Sequence, residues 1–299
     1  MRTIFSDPTL QSELKEKGYT KVPLLSEAEV NYILDALQSL RPNDNFAPDG
    51  KGTTRSTYHC SFLDTNVDYK RKASNLIRQV FSSHIRHLLV GYEILNCNFY
   101  VKPSGTGVFQ IHQNWPMIDL NETSITVWCP LVDADERNGS LHVVEGSHKI
   151  VPEISGPWGN PFFRNFEKEL LEKYLKPISC RAGEAVAFDD SLIHWSSRNN
   201  SASPRVAIQV LCVPTDTTPV FFYLDKNAPE KGLEMFEIDS DYFIERTITD
   251  LLKGPSDLKS LGFVENRNVA LTIEEFAEKL KHGDEIRQRI YSSSGANQQ

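Results

Sequence analysis

Residues 92–101, YEILNCNFYV, constrain the fold more than any other stretch of this chain. Leu95, Cys97, Phe99 and Val101 point one way, and Asn96, Asn98 and Tyr100 the other. This is the period of two that a β-strand imposes. One apolar face and one amide-bearing face mean two different surroundings. Runs at 107–112, 124–131, 141–144, 184–189 and 205–213 also read as strands, several parted by turn residues such as Arg137-Asn138-Gly139-Ser140. Many short strands joined by turns predict a β-sandwich or barrel.

The first ninety residues read differently. Ser26 and Glu29 form a capping box. Val30, Ile33, Leu34, Leu37 and Leu40 then recur at helical spacing. A shorter helix is expected over 6–18 and a third over 67–89, with 41–57 as a polar loop. A further helix near 166–175 interrupts the strands within the stretch 152–179. Beyond 215, FFYL (221–224) reads as a strand and 273–280 as a helix. No composition shift marks a boundary, so 1–299 is expected to be one domain. Its parts are a helical part (1–90), a β core (91–215) and a C-terminal extension (216–299).

Composition narrows the function. A net charge of −8 opposes a phosphate backbone, so nucleic acid is not the expected partner. No run of 18 apolar residues exists, so no membrane span is expected. Five cysteines without a CxxC pair offer neither a zinc knuckle nor a redox dithiol. With no apolar leader at the N-terminus, they point to a reducing, cytoplasmic setting.

The chemistry-bearing residues lie in the β region. On one strand Gln110, His112 and Asn114 share a face; further on, His194 and Ser196 share another. Arg205, Ala207 and Gln209 alternate against Val206, Ile208 and Val210. An arginine in an inward row needs an anion, because an unpaired buried charge is costly. A bidentate carboxylate suits a guanidinium best. His84 and His87 read as helix-surface residues, and His59 and His282 as unremarkable. His142 and His148 lack the tight paired spacing of zinc ligands. Asp189 and Asp190 are adjacent, so they point apart and fit a turn before His194. Cys97, Cys129 and Cys212 fit core packing.

Together these segments resemble the phytanoyl-CoA dioxygenase-like branch of the iron(II)/2-oxoglutarate-dependent oxygenases. EKGYTKVPLLSEAEVNYILDAL is similar to that family's opening helix–strand–helix. IHQNW falls at its H-x-D motif. WCPLVDADERNGSLHVVEGSHK and GEAVAFDDSLIHWSSRNNSASPRVAIQV match its later hallmarks. The resemblance implies a mainly β fold with flanking helices: a double-stranded β-helix (a cupin-like jelly roll) with N-terminal helices packed outside. It implies Fe(II) and 2-oxoglutarate as cofactors, with O2 and a small-molecule substrate as partners. His112 and His194 become the two imidazole ligands of a facial triad. Arg205 clamps the distal carboxylate of 2-oxoglutarate, assisted by Ser196. Trp128 lines the cosubstrate site, and Asn98 and Gln110 contact cosubstrate or substrate. Pocket walls are expected from the 41–64 loop and the 152–179 insertion, where Trp158, Phe162 and Phe163 are either lid aromatics or simply packed under a loop. The C-terminal extension caps the site or forms a dimer face; monomer and homodimer both stay open.

One position departs from the motif: Asn114 stands where the family has its aspartate. Four arrangements are open. Asn114 ligates through its carbonyl oxygen; or Asp119 supplies the carboxylate; or a halide or water fills the position, as in a halogenase; or catalysis is lost and the protein only binds a ligand. The leading expectation is a hydroxylating oxygenase that converts 2-oxoglutarate to succinate. A non-catalytic binding homologue is the alternative, with a cupin-like hydrolase or isomerase third. Arg205 argues against the last, which has no need of a keto-acid anchor.

Overall fold

The helical spacing near the N-terminus is matched by what it buries. The computed structural model describes residues 2–46, 57–119, 122–150, 161–266 and 268–284. Helix α1 (Pro8–Lys17) is capped by Asp7 and ends at Gly18. Helix α2 (Glu27–Ser39) opens on the Ser26–Glu29 capping box and buries Val30, Ile33 and Leu37. Helix α3 (Val67–Leu88) buries Ala73, Ile77, Phe81 and Ile85, a single apolar stripe. Each such fully buried Ile, Leu or Phe contributes roughly 1.5–3 kcal/mol.

Both stripes cover one face of a six-stranded antiparallel sheet. Its order is β1 (Tyr19–Pro23), β8 (Glu184–Asp189), β5 (Ile125–Pro130), β10 (Arg205–Pro214), β3 (Tyr92–Lys102) and β2 (His59–Cys60). A four-stranded sheet faces it, in the order β4 (Phe109–His112), β9 (His194–Ser196), β6 (Leu141–Val143) and β7 (Lys176–Ile178). From β3 onward the chain crosses repeatedly between the two sheets. This winds them into an open double-stranded β-helix, the jelly roll expected from the strand pattern.

Alternation sorts the large sheet's residues. Val206, Ile208 and Val210 pack under the helices with Val127, Cys129, Ala185 and Ala187. Ala207, Trp128, Val186 and Phe188 face the smaller sheet, against Leu141, Val143 and Ile178. Strand β3 departs from strict alternation once. Its pairing with β10 steps from Asn96↔Leu211 to Ile94↔Cys212, passing over Leu95. Cys97, Phe99 and Val101 keep the face expected of them and pack on the helix side. Leu95 does not: it joins Leu211, Ile118 and Phe221 in a separate cluster. An inserted residue reverses the parity of the strand beyond it.

Past β10 come a third sheet and three more α-helices, a fourth lying earlier, between β6 and β7. Strands β11 (Val220–Leu224), β12 (Leu233–Glu237) and β13 (Ser260–Val264) pair in that order. The helices are α4 (Glu167–Lys173), α5 (Tyr242–Glu245), α6 (Ile248–Lys253) and α7 (Ile273–Lys281). Phe276 of α7 is fully buried among Phe162, Phe166 and Leu170, with Ile111, Val144 and Ile193 of the smaller sheet's side. Of the two expected roles, Phe162 and Phe163 take the packing one, as core residues under α7; the partner that buries them lies over a hundred residues downstream. Trp158 lies outside the described residues. Among those residues no helix is long and apolar enough to cross a membrane.

Candidate active site

Strands β4 and β9 are neighbours, and their register sets His112 opposite His194. The two rings lie 4.1 Å apart, centroid to centroid. Each ring is held from its own strand. His112 Nδ1 donates to the Gln110 carbonyl at 2.8 Å, and His194 Nδ1 donates to the Leu192 carbonyl at 2.8 Å. A carbonyl only accepts, so the proton sits on Nδ1 and the lone pair on Nε2. Burial pushes His194 down to about 4. Burial and the neighbouring His194 hold His112 well below its usual value. Both imidazoles are neutral at pH 7, the form that ligates metals.

A narrow cavity between the sheets runs from this pair to Arg205, bordered by Tyr100, Lys102, Trp128 and Ser196. Arg205 is buried, and burial pulls its guanidinium down to about 10, still charged at neutral pH. Nη2 reaches Ser196 Oγ at 3.4 Å, and the guanidinium carbon lies 5.6 Å from the Trp128 ring centre. Among the described residues, Nε and Nη1 have no hydrogen-bond partner. A second base stands beside it, one the sequence reading missed. Lys102 pairs with Arg205 across β3 and β10 and is buried. Its Nζ contacts Ser196 Oγ at 2.6 Å and the Ser197 carbonyl at 2.8 Å. Burial, helped by Arg205, pushes it down to about 5. Ser196 Oγ in turn donates to the Gly139 carbonyl at 2.8 Å. Gly139 has φ of +87°, and a Cβ there would lie 2.6 Å from the Ser197 carbonyl, so only glycine fits this support.

On the other side of His112 opens a cavity of about 310 Å³. Asn96, Asn98, Gln110, Gln113, Asn114 and Gln209 border it, with Tyr58, Phe62, Trp115 and Met117. Asn98 and Gln110 therefore face this chamber and not the Arg205 end. Among the described residues no Lys, Arg, Asp or Glu borders it. Part of the 41–64 loop does form its wall, through Tyr58, Cys60, Phe62 and Leu63. The described part of the 152–179 insertion does not border it. Ile248 of the C-terminal extension does.

Asn114 follows β4 and borders the same chamber as His112. Its Nδ2 donates to Thr126 Oγ1 at 2.8 Å and to Asp190 Oδ1 at 2.9 Å. Asp190 is buried, and burial pushes its carboxyl up to about 6 against the pull of Asn114, Ser124 and Thr126. It sits in the turn expected before His194, but its contact with Asn114 was not foreseen. Asp119 is exposed. Among the described residues no three His, Cys, Asp or Glu side chains converge, so Asp119 does not join the histidine pair. The groups here that could ligate a metal are His112, His194 and Asn114; Arg205 and Ser196 could hold an anion.

The remaining histidines lie elsewhere. His142 donates to the Ser140 carbonyl at 3.1 Å and stands edge-on to Trp195. His148 is buried against Gly18 and contacts the Lys15 carbonyl at 3.2 Å. His84 meets Glu29 at 2.8 Å. His59 is less ordinary than its sequence context suggests: it is fully buried between Asp44 and Tyr69, at 2.7 Å from each. All five cysteines are buried and without a disulfide, Cys97, Cys129 and Cys212 among them as expected.

The Phytanoyl-CoA dioxygenase (PhyH) family pattern matches residues 14–207. Over 127 residues the chain is 28% identical to a Dictyostelium discoideum protein named for the phytanoyl-CoA dioxygenases. That match takes in 41% of this chain and 36% of the other, so little more than a third of that curated relative is spanned. Among solved structures, the non-heme alpha ketoglutarate dependent epimerase SnoN from nogalamycin biosynthesis superposes with a TM-score of 0.54 at 15% identity, covering 88% of this chain and 94% of its own. The carbocyclase SnoK of the same biosynthesis gives 0.52 at 18% identity, covering 71% and 86%. At such identities the likeness is one of fold.

Proposed function

Because the chain belongs to the phytanoyl-CoA dioxygenase family, we propose that it is an iron(II)/2-oxoglutarate-dependent oxygenase that hydroxylates a small or medium-sized organic metabolite. The observation that carries this reading is Arg205: a buried guanidinium with two nitrogens unpartnered among the described residues, in a cavity whose other end is a pair of neutral imidazoles. An uncompensated buried cation is costly, so the site is built for an anion that arrives from outside. A dicarboxylate with a 2-keto group fits both ends, one carboxylate toward Arg205 and the keto-acid end toward the histidines. The donor set fits a divalent first-row metal, with His112 and His194 as imidazole ligands and Asn114 as the third.

When bound, iron with 2-oxoglutarate and O2 supplies an oxidant able to attack an unactivated C–H bond, as the keto acid is cleaved to succinate and carbon dioxide. The chain's own residues prepare that chemistry. Gln110 and Leu192 carbonyls hold the imidazoles in the ligating tautomer. Ser196 and Trp128 pack around the guanidinium and fix its plane. The amide-rich chamber beside His112 favours an uncharged substrate whose hydroxyl or carbonyl groups exchange hydrogen bonds with Asn and Gln side chains.

A second reading draws on Asn114. A keto-acid-binding protein without turnover would keep Arg205 and the histidines and tolerate loss of the motif's carboxylate. Succinate release separates the two. With iron(II), 2-oxoglutarate and O2 the oxygenase forms succinate slowly without substrate, and Arg205→Ala abolishes it. Binding of 2-oxoglutarate with no succinate at all, in the presence of a broad panel of uncharged metabolites, favours the binding protein.

A further inference from the structure

A neutral amide is a poor substitute for a carboxylate in two respects. It carries no charge, and it has two ends of similar size, oxygen and NH2, only one of which can ligate. The surroundings of Asn114 address both. Thr126 Oγ1 donates its single proton to Asp190 Oδ1 at 2.5 Å. Toward Asn114 the hydroxyl therefore offers only a lone pair. Asp190 Oδ1 offers another. Nδ2 donates to both, at 2.8 and 2.9 Å. Turning the amide over would set its oxygen against two acceptors. The backbone repeats the link, since the Asn114 N–H donates to the Asp190 carbonyl at 3.0 Å. Oδ1 accepts no hydrogen bond among the described residues. Asp190 and Thr126 are both buried, and neither borders the chamber that Asn114 shares with His112.

We propose that Asp190, with Thr126, is a positioning residue that turns the Asn114 amide oxygen toward the metal site and places a carboxylate one hydrogen bond behind it. The inference rests on the reading of His112, Asn114 and His194 as ligands. Two donated hydrogen bonds draw electron density from the NH2 side toward the carbonyl and strengthen it as a donor. The negative charge lost from position 114 is retained at one remove.

Cobalt(II) binding, followed by its visible spectrum under equilibrium dialysis, tests this without turnover. The wild type is expected to take up one cobalt ion. Asp190→Asn and Thr126→Val should each weaken uptake by roughly ten- to a hundredfold, the usual effect of losing a residue that orients a ligand. Asn114→Asp alone sets two carboxylates at hydrogen-bonding distance and should not restore full affinity. The exchange variant Asn114→Asp/Asp190→Asn returns one carboxylate and one amide to the pair and should recover wild-type affinity or better. Circular dichroism of each variant reports folding, which the retained backbone link should preserve. If Asn114→Ala weakens cobalt uptake but Asp190→Asn and Thr126→Val do not, the positioning role falls and the ligand set stands. If Asn114→Ala is without effect, or the wild type takes up no cobalt, the ligand reading falls and the positioning role with it.

Discussion

Arg205 and Lys102 place two bases side by side in a buried site, and the chain solves this by different means for each. Arg205 stays charged at neutral pH, while burial favours the neutral form of Lys102. The folded value of about 5 lies far below the ordinary 10.5. Between these values the unfolded chain binds a proton that the folded chain does not, so Lys102 costs stability that diminishes as pH rises through that window. Lys102→Met is therefore expected to raise the thermal midpoint more at pH 6 than at pH 9. A fluorimetric melting series over that range checks it. Arg205→Met should likewise stabilise the ligand-free protein while weakening 2-oxoglutarate binding about a hundredfold or more, read by calorimetry. His112, His194, Arg205, Ser196 and Trp128 were all legible in the sequence, because strand alternation and a family resemblance point at each. Lys102, Thr126 and Asp190 were not. Thr126 shares the parity of Trp128 on β5 and so could have been found. Asp190 lies in a turn, where no period says which way a side chain points.

The elements that announced themselves are the ones long enough to show a period. Helices α2 and α3 and strands β3, β5, β8 and β10 fall within a residue or two of expectation. The two- and three-residue strands β2, β7 and β9 are too short for alternation to register, and the equally short β6 was legible only through the turn residues before it. The bulge at Leu95 is invisible without its partner strand. Gly18 illustrates a constraint of local backbone and distant packing together. It ends α1 at φ of +89°, and a Cβ there would lie 2.5 Å from His148 Nδ1. Gly18→Ala is expected to destabilise by more than about 1 kcal/mol, from the left-handed backbone alone. Ser26→Ala, which removes only a capping box, should cost about 0.5–2 kcal/mol. Urea unfolding of both variants gives the comparison.

Across the whole molecule, the β-helix core and its helical cover are joined by contacts no short-range signal reveals. Phe276, near the C-terminal end of the described residues, completes the cluster around Phe162 and Phe166. Phe276→Ala should cost about 3–5 kcal/mol in urea unfolding, the loss expected for a large core side chain. The imidazole end and the guanidinium end of the narrow cavity come from opposite sheets, β4 and β9 on one and β10 on the other. Only the folded jelly roll assembles them. If this assembly holds a keto acid on iron, the complex has a colour. Iron(II) and then 2-oxoglutarate, added anaerobically to the metal-free protein, should produce a visible metal-to-ligand charge-transfer band. The band should vanish in His112→Ala, His194→Ala and Arg205→Ala. Absence of any band in the folded wild-type protein would show that no keto acid chelates iron at this site.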